Sequence, residues 1–171
     1  MRLEKKIAQI LTRQKQTLAT AESCTGGLLA HTLTNVPGSS AFFHLGVVAY
    51  DKAAKTKILK IPASLIKIHG AVSPEVAKHM AIGARKILNT GYGISITGIA
   101  GPTGATKTKP LGLTYIAASN PHKTIVRRFH FKGTRLRNKN QAVAAALRIL
   151  KNFLAVPKIL GFPTLKQKSP I

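Results

Sequence analysis

The spacing of apolar residues along the chain changes repeatedly between a helical period and short continuous runs. Near the start, Leu3, Ile7, Ile10 and Leu11 fall on one side of a helix, which predicts an amphipathic helix over residues 2–16. Short apolar or β-branched runs predict strands at 17–21, 44–50, 92–97, 112–118 and 124–131, of which 44–50 and 92–97 are expected to be buried. Further helices are predicted at 25–35, at 51–59 and from 73 to about 90, and a last helix places Val143, Leu147, Leu150 and Leu154 on one face.

Two of these helices also carry start signals. Asp51 precedes one of them as a candidate N-cap. Ser73-Pro74-Glu75 combines an N-cap, a proline in the first turn and an acid that the helix dipole favours. Both signals strengthen the assignment of helices at these positions.

The alternation of strands and helices predicts an α/β fold, a single-domain, three-layer α/β/α sandwich around a mixed sheet. Loops at the strand ends are then available for a site. The domain is expected to cover residues 1–156. Residues 157–171 carry three prolines without periodicity and are expected to form a tail or arm.

The charge balance is strongly basic. The chain has 27 Lys and Arg against four acids, for a formal net charge of +23. A positive surface favours phosphate-bearing small molecules, nucleic acid or anionic lipid without choosing among them. Only 5% of residues are aromatic and no zinc pattern is evident, so nucleic acid is expected only as a nonspecific electrostatic partner.

The same scarcity of acids argues against several chemistries. Paired-carboxylate glycoside hydrolysis and protein-held magnesium both need carboxylates, and the histidines show no HExxH pattern, so no metal is expected. The segment 101–108 superficially resembles a P-loop, but Thr106 stands where the second glycine belongs, which argues against a nucleotide triphosphatase.

Targeting signals and disulfides are also not indicated. The longest apolar runs are too short for a membrane span, and the N-terminus lacks the apolar stretch of a signal peptide. Cys24 is the single cysteine, so no internal disulfide can form. We expect a soluble, cytoplasmic protein.

Two glycine-containing stretches, 20–27 and 97–104, are the candidates for chemistry. Each follows a strand-like run, and a hydroxyl residue at a strand-to-helix turn followed by glycines lies beside backbone N–H groups that can hold an oxyanion or a phosphate. An ordinary helix cap would produce the same pattern. Within the first stretch, Ser23 could act as a nucleophile with a desolvated lysine as its base, or Cys24 could act as a thiolate.

Five motifs occur in a recognisable order along the chain. They are Ser23-Cys24-Thr25-Gly26-Gly27, Pro37-Gly38-Ser39-Ser40, Gly46-Val47-Val48-Ala49-Tyr50 with Lys55, His69-Gly70-Ala71-Val72-Ser73, and Thr97-Gly98-Ile99-Ala100-Gly101-Pro102. From about Thr17 to about Leu154 the chain therefore resembles the CinA C-terminal domain family, whose members include bacterial nicotinamide mononucleotide deamidases. It resembles the stand-alone form, without the preceding domain of the longer CinA proteins.

The resemblance implies a metal-independent amidase without cofactors. Its substrate would be nicotinamide mononucleotide, which would be hydrolysed to nicotinic acid mononucleotide and ammonia. Ser23 would be the nucleophile and Lys55 its base, with Lys52 and Lys57 as competing lysines, and Tyr50 would relay or orient a proton. The implied substrate-binding residues are Thr25, Gly26, Gly27, Thr97, Gly98, Gly101 and Arg135. A homo-oligomer, most simply a symmetric dimer, is also expected.

The chain departs from the family pattern in two places. Residues 105–108 stand where the family usually has a second glycine and often acids. Lys139 stands near a position where the family tends to carry another arginine. A non-catalytic accessory or binding module linked to competence or DNA damage is kept as the alternative function, because the family also has members without demonstrated amidase activity. A basic nucleic-acid-binding protein is the other alternative.

Overall fold

A computed structural model of the chain describes residues 1–155. The predicted tail at 157–171 lies outside the described residues. Six α-helices and five strands follow each other in the order α1 (Leu3–Arg13), β1 (Leu18–Glu22), α2 (Leu28–Thr34), β2 (Phe43–Val48), α3 (Lys52–Lys57), α4 (Ala63–His69), α5 (Pro74–Ile87), β3 (Tyr92–Gly98), β4 (Leu113–Ser119), β5 (Thr124–His130) and α6 (Arg135–Ala155), with a short 3₁₀ turn at Ser39–Ala41.

The five strands form one mixed sheet in the order β2-β1-β3-β4-β5. β1 runs parallel to both β2 and β3, whereas β4 and β5 are antiparallel to their neighbours. The chain moves from β1 to β2 on one side and later to β3 on the other, so β1 lies at a topological switch point. Ligands of open α/β sheets bind in the crevice beyond the carboxyl ends of strands at such a point.

Helices cover both faces of the sheet. On one face, α1, α2 and α6 enclose a core built around Ile7, Leu29 and Leu150 with Ile94 and Ile116 of the sheet. On the other face, α4 and α5 pack on β1 through residues that include Ile66, Val76 and Met80. The predicted single-domain, three-layer α/β/α sandwich with a mixed sheet is therefore confirmed.

Both predicted helix starts are also confirmed. The Asp51 carboxylate accepts a hydrogen bond from the amide of Ala53 at 2.7 Å. Ser73 Oγ accepts the amide of Val76 at 3.3 Å, with Pro74 in the first turn of α5.

Three expectations about the elements are wrong. The strand predicted at 44–50 as buried is the edge strand β2, whose residues alternate between half-buried and exposed because successive side chains point to opposite faces and one face is left open at this edge of the sheet. The helix predicted from residue 25 begins at Leu28, since Gly26 and Gly27 take positive φ angles of 63° and 95°. Helix α4 was not predicted, because its seven residues are too few to show a helical period.

A close approach between α5 and β3 depends on one glycine. A Cβ at Gly93 would overlap the carbonyl oxygen of Ala81 and lie 3.0 Å from Cβ of Arg85. Glycine at this position therefore lets α5 lie directly on the sheet. Among the described residues, no helix is both long and apolar enough to cross a membrane.

Candidate active site

The carboxyl ends of the three parallel strands bring the predicted site residues together. Ser23 directly follows β1, Ala49 and Tyr50 follow β2, and the loop containing Gly101 follows β3. The amide of Ala49 donates to the carbonyl of Glu22 at 2.8 Å, which fixes the end of β2 beside the residue before Ser23.

Lys55 is a buried lysine aimed at Ser23. It lies on α3 and is 1% exposed. Its Nζ is 3.1 Å from Ser23 Oγ and also donates to the carbonyls of Ala49, at 2.7 Å, and Tyr50, at 3.1 Å. The ammonium group therefore uses its three N–H donors on one hydroxyl and two neutral carbonyls.

Burial lowers the pKa of Lys55 below its ordinary value of 10.5. The carboxylate of Asp51 and the thiol of Cys24 act in the opposite direction but do not outweigh desolvation. Desolvation is thus the dominant cause of the lowered pKa of Lys55. The competing lysines, Lys52 and Lys57, are exposed.

Glu22 organises the turn that carries Ser23, a role that sequence analysis did not identify. Its carboxylate is 1% exposed and accepts the amides of Gly27 at 3.2 Å, Leu29 at 3.0 Å and Ala30 at 2.8 Å. It thereby caps the start of α2 from the end of β1. Glu22 directly follows the strand predicted at 17–21, and the sequence alone does not indicate that its carboxylate is buried or which amides it accepts.

These bonds change the expected oxyanion site. The amide of Gly27 is taken by Glu22, and the amide of Gly26 donates to the carbonyl of Ser23 at 3.1 Å. The expectation that both amides hold the developing oxyanion is therefore wrong. Among residues 1–155, the amides of Cys24 and Thr25 donate to no carbonyl or carboxylate, but both residues are buried, so these amides reach a substrate only when the turn shifts.

Thr25 has a second free group. Its side chain is fully buried, and within the described part of the chain its hydroxyl has no hydrogen-bond partner. A buried hydroxyl without a partner is uncommon and often marks a functional position. Thr25 therefore has an unpaired hydroxyl beneath the turn, where it is closed to solvent.

Cys24 is a poor candidate for the nucleophile. It is buried in the core beside α2, and burial raises the pKa of its thiol to about 11. At neutral pH the thiol stays protonated, and the thiolate is the reactive form. Cys24 is a packing residue.

Tyr50 and Arg135 meet at the mouth of the site. The Tyr50 side chain is 57% exposed, and its hydroxyl accepts a 2.8 Å hydrogen bond from Arg135. A second guanidinium nitrogen of Arg135 donates to the carbonyl of Gly101 at 2.8 Å. The Tyr50 hydroxyl has no hydrogen bond to Ser23 or Lys55 in the described structure, so the expected proton relay through it is corrected: Tyr50 contacts Lys55 through its carbonyl.

Arg135 begins the long helix α6, and Lys139 lies one turn further along it. Lys139 Nζ is 3.8 Å from the position that a Cβ at Gly26 would occupy. Both cations also act on the thiol of Cys24 by lowering its pKa, although burial outweighs them. The amino end of α6 therefore places two cations beside the Ser23 turn, and a helix amino end itself favours anions.

The residues of the β3 loop have mainly structural roles. The hydroxyl of Thr97 is buried and donates to the carbonyl of Ala71 at 2.8 Å, so it is not free to line a pocket as expected. A Cβ at Gly98 would lie 2.7 Å from the carbonyl oxygen of Leu113, so glycine there permits tight pairing with β4. Gly101, with φ of 89°, contributes the carbonyl that holds Arg135.

The altered segment 105–108 folds into a closed turn. The amide of Thr106 donates to the carbonyl of Lys109 at 2.9 Å, and Lys109 Nζ reaches the carbonyl of His69 at 2.6 Å. The turn is thus tied to the end of α4.

Comparison with known proteins identifies the family. The family model of the CinA C-terminal domain matches residues 1–154, so the likeness includes α1, which lies before the stretch that carries the motifs. A CinA-like protein of Syntrophus aciditrophicus is 48% identical over 154 residues, which are 90% of this chain and 37% of that protein. A CinA-like protein of Desulfotalea psychrophila is 47% identical over 148 residues, 86% of this chain and 36% of that protein. The chain therefore spans little more than a third of these relatives.

Solved structures agree with this assignment. The competence damage-inducible protein A of Klebsiella pneumoniae superposes with a TM-score of 0.88 at 32% identity and covers 91% of this chain and 97% of that chain. A competence/damage inducible protein of Agrobacterium tumefaciens gives a TM-score of 0.86 at 34% identity, covering 89% and 93%. The chain belongs to the CinA C-terminal domain family.

Proposed function

We propose that this protein hydrolyses the carboxamide of nicotinamide mononucleotide, giving nicotinic acid mononucleotide and ammonia. The observation that carries the proposal is the buried Lys55 with its Nζ 3.1 Å from Ser23 Oγ and two carbonyls as its other partners. A neutral lysine has two N–H donors and one lone pair. It can therefore keep both carbonyl bonds and accept the proton of the Ser23 hydroxyl.

The reaction follows from this arrangement. Ser23 Oγ attacks the carboxamide carbon while its proton passes to Lys55 Nζ, and the oxyanion that forms receives hydrogen bonds from the Cys24 and Thr25 amides. Lys55 then gives the proton to the leaving nitrogen, and ammonia departs as the acyl-enzyme forms. Water activated by the same amine cleaves the ester and releases the acid.

The phosphate of the substrate is assigned to the cations at the start of α6. Arg135 has N–H donors beyond the two that hold Tyr50 and Gly101, and Lys139 lies beside Gly26. The amidase chemistry and this substrate are what the family resemblance implies. A cytoplasmic location and a dimer stay predictions of the sequence.

The test is ammonia release from nicotinamide mononucleotide by wild type, Ser23→Ala and Cys24→Ala, without added metal and with folding checked by circular dichroism. Ser23→Ala is expected to lower kcat by at least about 10³-fold, because the nucleophile is lost. Cys24→Ala, the matched control one residue away, is expected to keep kcat within a few-fold. Nicotinamide riboside, which lacks the phosphate, is expected to be hydrolysed with a higher KM.

Two results would contradict the proposal. Full turnover by Ser23→Ala would exclude Ser23 as the nucleophile. No turnover by folded wild type would remove the deamidase assignment and favour the alternative, a non-catalytic accessory or binding module.

A further inference from the structure

A second cleft lies at the opposite end of the sheet. Its volume is about 310 Å³, and it opens between α5 and the turn that joins β4 to β5. Its walls include Lys78, Ile82, Arg85, Asn120, His122 and Lys123. Ser119 at its edge pairs with Gly93 near the start of β3, whereas the catalytic end begins at Gly98. Five residues of strand separate the two ends by about 17 Å.

The cleft is cationic without compensating acids. Lys78, Arg85 and Lys123 contribute three positive side chains, and His122 adds a fourth when protonated. None of the four acids of the chain lines the cleft. Concave surfaces of one sign concentrate the field and attract ions of the opposite sign.

Arg85, on the α5 wall of the cleft, has a polar atom without a hydrogen-bond partner. Its Nε is buried and, among residues 1–155, has no hydrogen-bond partner. Because Gly93 lets α5 approach β3, the first carbons of Arg85 are held against the sheet. A buried N–H of a charged group without an acceptor is costly. Because Nε itself is closed to the cleft, an anion there would meet the terminal N–H groups of Arg85, which form no hydrogen bond among residues 1–155.

The opposite wall is held in a fixed conformation. Asn120 Oδ1 accepts the amides of His122 at 3.0 Å and Lys123 at 2.8 Å, and the Asn120 amide donates to the carbonyl of Lys123 at 2.9 Å. The backbone of Lys123 is thus fixed at the wall opposite Arg85, which reduces the backbone ordering that a ligand must impose.

We propose that this cleft binds the phosphate group of a ligand, with Arg85, Lys78 and Lys123 as its donors. The phosphate could belong to a free phosphorylated small molecule or to the backbone of a nucleic acid, since both present the same oxygens. The site is separate from the proposed amidase site and shares no residue with it.

The test is a titration of isotope-labelled protein with inorganic phosphate at constant ionic strength, followed by amide chemical shifts. Amides of Ser119, Asn120, His122 and Lys123 are expected to shift and saturate. Lys78→Gln/Lys123→Gln, which replaces two exposed side chains, is expected to weaken this binding at least about tenfold, since two of three cations are lost. Lys57→Gln/Lys67→Gln removes the same charge elsewhere and should leave binding unchanged. Arg85→Gln, with folding verified, should abolish the saturating shifts.

Two further probes identify the source of the phosphate. Saturation by adenosine monophosphate at lower concentration than by inorganic phosphate would support a small-molecule ligand. Saturation only by a ten-residue oligothymidylate, with affinity that falls steeply with salt, would support a nucleic-acid backbone. Shifts that never saturate with any probe, or equal binding by the two double variants, would overturn the proposal in favour of diffuse surface charge. Ammonia release by Lys78→Gln/Lys123→Gln should equal wild type, so each proposal can fail alone.

Discussion

Cationic side chains lie at both ends of the sheet, but their hydrogen-bond partners differ. At the catalytic end, Lys55 and Arg135 donate to backbone carbonyls and hydroxyls that fix their positions. At the other end, Arg85 lies in a cleft with its Nε buried and without a partner in the described residues. Lys55, whose three donors are all used, is positioned for chemistry. Arg135 keeps N–H donors beyond its two bonds, and Arg85 forms no side-chain hydrogen bond among residues 1–155, so both can still donate to an anion.

The partners of Lys55 also determine its protonation. Neutral carbonyls hold the amine in place without the strong attraction that a directly bonded carboxylate would exert on the charged form. Burial therefore prevails and keeps the pKa of Lys55 below the ordinary value. This makes Lys55 suitable as a general base, a role that an ordinary surface lysine fills poorly near neutral pH.

The largest effect on the catalytic end is expected from Lys55→Met. Methionine fills the buried volume but cannot accept a proton, so kcat should fall by about 10²- to 10⁴-fold while phosphate binding in the distant cleft stays unchanged. Ammonia release measures kcat, and the phosphate titration measures binding in the distant cleft. The matched control is Lys57→Met, an exposed lysine on the same helix, which should keep wild-type activity.

The pH dependence of the same variant sharpens this test. In wild type, kcat/KM should rise with pH through the pKa of Lys55, below 10.5, because the neutral amine is the active form. The unfolded chain keeps this proton up to about pH 10.4. Between the two pKa values, wild type should therefore gain stability with rising pH relative to Lys55→Met, as urea unfolding would measure. A kcat/KM rise centred near 10.5 would contradict the assigned base.

A smaller effect is expected from the double variant Arg135→Gln/Lys139→Gln. Loss of both cations should raise KM for nicotinamide mononucleotide about 10- to 100-fold, with a smaller change in kcat, because the phosphate is distant from the reacting bond. Initial-rate measurements separate the two constants. The matched double variant Lys78→Gln/Lys123→Gln removes the same charge at the other end and should leave KM unchanged. Equal KM increases in both would mean that only the overall field attracts the substrate.

Sequence patterns predicted the layers and the position of the site well. The helical period, the caps at Asp51 and Ser73 and the apolar runs are local signals, and the structure follows them. The pairing of Ser23 with Lys55 was anticipated through the family resemblance, and the structure places the two atoms at hydrogen-bond distance. The fold and the Ser23–Lys55 pair could thus be predicted without the structure.

Other features depend on contacts between distant segments and could not be predicted. The spacing of apolar residues in β2 does not reveal which strand lies at the sheet edge. Nothing local indicates that Glu22 takes the Gly27 amide, or that the Tyr50 hydroxyl lies on Arg135, 85 residues away. Lys78 and Lys123 are likewise far apart in the sequence, which does not indicate that they line one cleft.

The smallest predicted change concerns the buried acid at the catalytic end, Glu22. Glu22→Gln removes the charge from a buried group that accepts three amides, and a glutamine side chain turns an N–H donor toward at least one of them. We expect a loss of about 2 kcal/mol in the free energy of unfolding, measured in urea. Glu4→Gln, which replaces an acid in the first turn of α1, is the control and should cost less than about 0.5 kcal/mol.

The kinetic effect separates positioning from simple stability. Because Glu22 holds the start of α2 and the turn after Ser23, its loss should lower kcat several-fold at a temperature where the variant is fully folded, with KM nearly unchanged. A purely structural role would leave kcat intact under those conditions. The cleft lined by Lys78, Arg85 and Lys123 does not include Glu22, so the variant should bind inorganic phosphate there as wild type does. If Glu22→Gln lowered both kcat and phosphate binding in the cleft, Glu22 would stabilise the whole sheet rather than only the geometry around Ser23.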